Sequence, residues 1–199
     1  APRRDESTRR GDDLAVRIQV PFRTAALGGV HRATVRVVDA NGNFLLEEVD
    51  VGLPAGFEDG GELLLRERGH HARGRGPRGS LRVTVFVEED PIFRRSGRDV
   101  VVDLPLTPWE AATGCAVDVP TLQGRQAIRV PPGVRSGQRL RLRGLGLPPV
   151  GGAPPGNQEL VVQIQIPERL GAEALELLKR LDTLSDFRPR RRWEDPERD

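Results

Sequence analysis

The sequence predicts a mostly β protein: two similar β domains in tandem, followed by one short helix. Three observations carry that expectation. The segment Gly11–Gly29, GDDLAVRIQVPFRTAALGG, returns 86 positions on as GRDVVVDLPLTPWEAATGC, from Gly97 to Cys115, and LPAGFEDGGELLLRERG (Leu53 to Gly69) returns as VPPGVRSGQRLRLRGLG (Val130 to Gly146). Apolar and polar residues alternate through both copies, which is the period of a half-buried strand. The 23 Gly and 17 Pro among 199 residues cut these runs into short elements. Two long copies do not make a solenoid, which needs several short stacked units. Each copy spans roughly 80 residues, a size at which a domain buries only about 60% of its unfolded surface.

Residues 1–10 (APRRDESTRR) carry no periodicity and read as a linker remnant. The first β domain is expected over residues 11–90. In it Leu14, Val16, Ile18 and Val20 face one way and Arg17 and Gln19 the other. A short helical or turn segment, FRTAALGG, follows. Ala33 to Val38 and Phe44 to Val51 then form a hairpin around the Asn-Gly of DANGN. Leu63–Leu65 and Leu81–Val87 complete the copy, joined by RERGHHARGRGPRG, which reads as a long mobile connection. The second domain, over residues 91–168, repeats the plan: a strand at Val100–Leu106 and a helix at TPWEAATG. Ala116–Val119 pairs with Ala127–Val130, and strands at Leu140–Arg143 and Leu160–Ile166 end the copy. A turn formed by a Pro, a Gly and a second Gly four residues on leads into a strand in both (Pro54, Gly56, Gly60; Pro132, Gly133, Gly137). Over 169–186 apolar residues switch to helical spacing, at Ala174, Leu177, Leu178, Leu181 and Leu184. A helix of about 13 residues is marginal alone in water, so its leucine face needs a partner surface, in its own chain or in a second copy. Residues 187–199 form a polar tail.

Composition narrows the function. There is one Cys, Cys115, so neither a disulfide framework nor a CxxC zinc ribbon can form, and ATGCAV reads as a packed small side chain. The lack of disulfides suits the cytoplasm. No apolar run of 18 residues marks a membrane span, and the start, without Met, reads as a piece of a longer protein. No nucleophile, metal or nucleotide motif occurs. The adjacent acids Asp12–Asp13, Glu47–Glu48 and Glu88–Glu89 point to opposite faces of an extended chain, which does not suit a general acid/base pair. His70 and His71 have no acid or Cys at ligand spacing and read as solvated loop residues. The chain is therefore read as a binding protein, not an enzyme, with no cofactor or metal. Thin β domains leave strand edges that an extended peptide can join through its backbone.

The segment DPIFRRSGRDVVVDLPLTPWEAATGCAVDVPTLQGR (Asp90 to Arg125), continuing into VPPGVRSGQRLRLRGLG, resembles the C-terminal substrate-binding region of DnaJ-type J-domain co-chaperones. The resemblance runs from Gly11 to about Arg188. It implies two tandem β-sandwich-like DnaJ C-terminal domains plus a short C-terminal dimerisation helix, in a horseshoe-shaped homodimer. The zinc-binding cysteines of one class are absent, so the chain is similar to the zinc-free class, which includes bacterial curved-DNA-binding homologues.

By that resemblance Val16, Ile18, Ala33, Val35 and Val37 line a peptide groove that Phe93 covers. Ala33 stands where a larger apolar residue is usual, which implies a pocket that is shallower or shifted towards Val37. His31 and Arg32 match a basic pair that in some relatives meets the acidic tail of the partner chaperone, and Ala174, Leu177, Leu178, Leu181 and Leu184 form the implied dimer seam. The implied partners are unfolded client polypeptides, a DnaK-type chaperone and a second copy of the chain; the His-Pro-Asp signature of a J-domain is not in this sequence. The rival reading is DNA binding, nucleoid-associated, through Arg190, Arg191 and Arg192 of FRPRRRW, although Glu194, Asp195, Glu197 and Asp199 would oppose it. The EEVD at Glu47–Asp50 reads as coincidence inside a strand.

Overall fold

The alternation of the first copy becomes β1 (Leu14–Val20), β2 (Gly29–Val38), β3 (Phe44–Leu53), β4 (Glu62–Leu65) and β5 (Leu81–Val87), with a six-residue helix α1 (Phe22–Leu27) after β1. The second copy gives β6 (Arg94–Ser96), β7 (Asp99–Leu106), α2 (Pro108–Thr113), β8 (Cys115–Thr121), β9 (Gly124–Val130), β10 (Arg139–Leu142) and β11 (Gln158–Ile164). A final helix α3 spans Ala172–Leu184. These elements are those of a computed structural model, which describes residues 9–185 and residue 189. The chain divides into two compact units, residues 1–164 and 165–199.

Each copy builds the same pair of layers. β1, β5 and β4 form one sheet in that order, with β1 parallel to β5 and β5 antiparallel to β4. Parallel strands need a crossover connection, and here the β2–β3 hairpin supplies it and closes over the sheet. Val35, Val37, Val49 and Val51 from the hairpin meet Val20, Leu81, Val83 and Val85 from the sheet in one core. In the second copy β7 and β11 run parallel between β10 and β6, and the β8–β9 hairpin closes over them. That core contains Val100, Val102, Leu104, Leu106, Val119, Val130, Leu160 and Val162, and also Phe22 and Ala26 of α1. So α1 contributes side chains to both cores, since Ala25 lies in the first. The expected boundary at 90/91 falls between β5 and β6.

The two six-residue helices start differently. Pro21 precedes α1 with no side-chain cap, and the carbonyls of Ala25 and Ala26 accept from the N–H groups of Phe57 and Gly56. In α2 the backbone N–H of Glu110 donates to Thr107 Oγ1 while the Glu110 carboxylate accepts from the Thr107 N–H, a closed capping box.

The repeat holds at the level of single hydrogen bonds. Where β1 enters its sheet, His70 N donates to Asp12 O (3.0 Å), Gly79 N to His70 O (3.0 Å), Gly69 N to Gly79 O (2.8 Å) and Leu14 N to Ser80 O (2.9 Å). Where β7 enters, Leu147 N donates to Arg98 O, Gly156 N to Leu147 O, Gly146 N to Gly156 O and Val100 N to Asn157 O, at 2.9–3.0 Å. Asp13 and Asp99 each accept a further backbone N–H, from Ser80 at 2.6 Å and Asn157 at 2.7 Å. The chain crosses itself so closely here that a Cβ on Gly79 would strike the Asp12 carbonyl, and one on Gly156 the Arg98 carbonyl.

Several elements depart from the sequence expectation. Gly29–Arg32 extend β2 towards α1, and β11 starts and ends two residues earlier than its alternation implied. β6 is a strand that the sequence pattern did not mark. The larger departure is the loop between β4 and β5, which is anchored. The His70 Nδ1 accepts from the Val38 N–H at 2.9 Å. Glu47, on the inward side of the β3 tip, pairs with Arg78 at 2.8 Å and His71 at 3.2 Å. Two histidines that read as solvated are thus part of a latch holding the long hairpin.

Burial pushes the Glu47 carboxyl up, but the hydrogen bonds and charges of Arg78 and His71 outweigh it and leave its pKa below the ordinary 4.5. A carboxyl lowered in the folded state contributes stability above its unfolded pKa and loses it as pH falls through the folded one. Glu47→Gln should therefore cost about 1–2 kcal/mol near neutral pH. The gap to the parent protein should close as pH falls below about 4.5, as read by thermal melts across pH.

α3 is the main element of the second unit. Gly171 accepts from the Leu175 N–H at 3.1 Å to open it, and Ser185 N donates to Leu181 O to close it. None of its residues is buried.

Candidate functional site

β1 is the edge strand of its sheet: β5 pairs with one side, and among the described residues no strand pairs with the other. β2 likewise has only β3 as a partner, and β1 and β2 approach one another without being paired. The two unpaired edges belong to the two layers of the first sandwich. Val16 and Ile18 are half-buried on β1 and pack on the first core, whereas Arg17 and Gln19 are exposed. This is an edge with free backbone donors and acceptors beside partly covered apolar side chains.

The equivalent strand of the second copy differs. The start of β7 is covered by β6, with Arg94 opposite Val101 and Arg95 opposite Val100. β6 is set by the turn before it, in which the Asp90 carboxylate accepts the N–H groups of Ile92 (2.9 Å) and Phe93 (3.0 Å). A bidentate ion pair from Arg94 to Asp103 on β7 holds it, at 2.7 and 2.8 Å. Residues 9–13, ahead of β1, form no such strand. Of two repeated entries, one is capped and one is open.

Ala33, Val35 and Val37 are buried side chains of the first core. They share that core with the half-buried Val16 and Ile18, so the structure brings these five residues together. Phe93 lies in the other cluster. It is 2% exposed and stacks on Phe22, with ring centroids 6.3 Å apart and planes within 5°, while the Arg23 guanidinium lies 4.9 Å from its ring centroid. His31 is half-buried on β2. Arg32 is exposed and paired across the hairpin with Asp50 (3.1 Å) and Glu48 (3.7 Å), and these bonds and charges raise its pKa further. Two acids of the EEVD stretch are thereby engaged within β3. Leu177, Leu178, Leu181 and Leu184 of α3 are 46–79% exposed, and Ala174 is half-buried. Arg190, Arg191 and Arg192 lie outside the described residues.

The DnaJ C terminal domain family profile matches residues 46–167, from the tip of β3 through the end of the second copy. The chain belongs to the DnaJ C-terminal domain family. It is 34% identical to the curved DNA-binding protein of Coxiella burnetii over 193 residues, 94% of this chain and 61% of that relative. Against the curved DNA-binding protein of Pseudomonas putida it is 33% identical over 190 residues, 93% of this chain and 59% of the relative. Against the chaperone protein DnaJ of Salinibacter ruber it is 39% identical over 152 residues, 76% of this chain and 39% of the relative. The DnaJ C-terminal chain thus spans about three fifths of the length of its curved DNA-binding relatives.

Among the described residues no cluster of three His, Cys, Asp or Glu could hold a metal, and no helix is long and apolar enough to cross a membrane. Cys115 is half-exposed at the start of β8, and burial followed by the charge of Glu110 pushes its thiol pKa up, away from a reactive thiolate. Sequence reasoning missed Phe22 and Arg23 as partners of Phe93. With only six Phe in the chain, a second one directly after the first strand was the signal that could have found them.

Proposed function

We propose that this DnaJ C-terminal region binds extended, apolar segments of unfolded polypeptide and presents them to a DnaK-type chaperone, acting as a homodimer in the cytoplasm. The observation that carries the reading is the open outer edge of β1 set against the capped start of β7. An extended client adds there as a strand, with backbone hydrogen bonds giving affinity and alternate side chains reaching the apolar surface of Val16 and Ile18. Ala33, Val35 and Val37 form the floor beneath it. Backbone pairing tolerates many sequences, which suits a protein that meets many clients. The leucine face of α3 joins two copies, and His31 with Arg32 offers the basic surface for the partner's acidic tail, in exchange with Glu48 and Asp50.

The test uses a short apolar peptide and the same peptide N-methylated at alternate residues, which keeps the side chains and removes backbone donors. The parent peptide is expected to slow amide exchange along Val16–Val20, and the methylated one to bind at least about tenfold more weakly through loss of two or more backbone bonds. Equal binding of both peptides would refute strand addition.

A second reading, DNA binding, takes its support from the relatives named curved DNA-binding protein. It predicts an affinity for duplex DNA that falls steeply with salt, whereas peptide binding at β1 hardly responds.

A further inference from the structure

A cavity of about 420 Å³ opens between the cores of the two copies, separate from the β1 edge. Its walls are apolar: Phe22 and Ala26 of α1, Phe57, Val87, Phe93 and Leu147. That volume falls within the range of about 300–1,000 Å³ typical of clefts that take up a small ligand or a bulky side chain. The walls are tied to the backbone. Phe57 N donates to Ala25 O (3.0 Å), Glu88 N to Val20 O (2.9 Å) and Val87 N to the Asp59 carboxylate (2.8 Å). The cavity is therefore preformed, which lowers the ordering cost of filling it.

The rim has a distinct charge pattern. Both arginines that line it are engaged: Arg94 with Asp103, and Arg95 with the carbonyls of Phe57 (2.8 Å) and Gly97 (2.9 Å). Arg23 is committed to the ring of Phe93. Of the four rim acids, Asp59 and Asp90 accept backbone N–H groups, whereas Glu88 and Glu89 are exposed and have no partner among the described residues. β5 ends at Val87, so Glu88 and Glu89 fall outside the strand alternation, and both line the rim of this apolar cavity.

From this geometry we infer that the cavity between the β domains is a second polypeptide-binding site, taking one large apolar client side chain flanked by lysine or arginine. The apolar side chain fills the space between Phe22, Phe57 and Phe93, and the flanking cations meet Glu88 and Glu89. This site does not depend on strand addition at β1. It selects for a side chain and its charge, whereas the β1 edge selects for a free backbone.

The experiment is fluorescence anisotropy on the full chain, with a labelled peptide in which one phenylalanine is flanked on each side by arginine and the rest is glycine and serine. Binding is expected to weaken about tenfold for the double variant Glu88→Arg with Glu89→Arg, the scale of two rim ion pairs. It should weaken comparably when the peptide's arginines become glutamates, and be lost when its phenylalanine becomes alanine. Phe57→Ala, checked for folding by its melt, should also weaken it. Methyl spectra locate the site: shifts are expected at Val87 and Leu147, with Val16 and Ile18 unmoved. Unchanged affinity in the charge-reversed variant, shifts at Val16 and Ile18 instead, or no binding of this peptide would each overturn the inference. The N-methylated peptide independently decides the fate of the β1 reading.

Discussion

Gly156→Ala is expected to lower the melting temperature by about 10 °C, and Gly79→Ala to do the same in the first copy, each corresponding to about 3 kcal/mol. The cause is backbone against backbone. At Gly156 an added Cβ would overlap the Arg98 carbonyl, and at Gly79 the Asp12 carbonyl. Neither side can yield cheaply. Arg98 O accepts from Leu147 N, Gly156 N donates to Leu147 O, and Gly156 O accepts from Gly146 N, so a shift that makes room for the methyl stretches three bonds together. The Asp12, His70, Gly69 and Gly79 set is built identically. A side chain could rotate away from such an intrusion; a hydrogen-bonded carbonyl cannot. Gly52→Ala is the control: it lies on the exposed side of β3, with nothing within 4 Å of an added Cβ, and should move stability by no more than about 0.5 kcal/mol. Paired thermal melts of the three variants check this. A Gly156→Ala protein as stable as Gly52→Ala would show that the close crossing is not a constraint.

Leu177→Asp with Leu181→Asp is expected to turn a dimer into a monomer, and a chain ending at Pro167 to behave in the same way. α3 has 13 residues, none of them buried, and an isolated helix shorter than about 12–15 residues is marginal in water. Four of its five leucines, the exposed Leu177, Leu178, Leu181 and Leu184, recur on one stripe. In the proposed homodimer, pairing with the same stripe of a second copy would remove that apolar surface from water and stabilise both helices together. Two aspartates in the seam would bury unpaired charge. Sedimentation equilibrium on the parent chain, the double variant and the truncation reads the result. A monomeric parent would refute the proposed homodimer and leave α3 in need of another partner; a dimeric truncation would move the seam to the β domains.

Much of the fold was legible because period two reports which face of a strand is buried. Leu14 to Val20, Leu81 to Val87 and Val100 to Leu106 could each be placed as strands from their own residues. Likewise the leucine spacing after Gly171 placed α3, and the repeat placed the second copy from the first. Alternation says nothing, however, about which strand lies alongside. That β1 runs parallel to β5 across 60 intervening residues (from 21 to 80), with a hairpin as the crossover, depends on non-local packing. β6 was invisible because RRS has no apolar alternation; it is a strand because the Asp90 turn aims it at β7 and Arg94 reaches Asp103. The histidines in the loop looked solvated because their partners, Val38 and Glu47, are more than 20 residues away in sequence.

The candidate site divides along the same line. Val16, Ile18, Ala33, Val35 and Val37 share one apolar core by their own periodicity. Phe93 belongs to the other core because α1 carries Phe22 to it, a contact between residues 71 positions apart (22 to 93). By itself the sequence determined the alternating strands, the repeat, the turn glycines and the terminal helix, since local sterics and side-chain period act within a few residues. Only the tertiary structure decided which edge stays open, which acids stay unpaired and where the aromatic side chains meet, because each depends on segments that become neighbours only when the layers close.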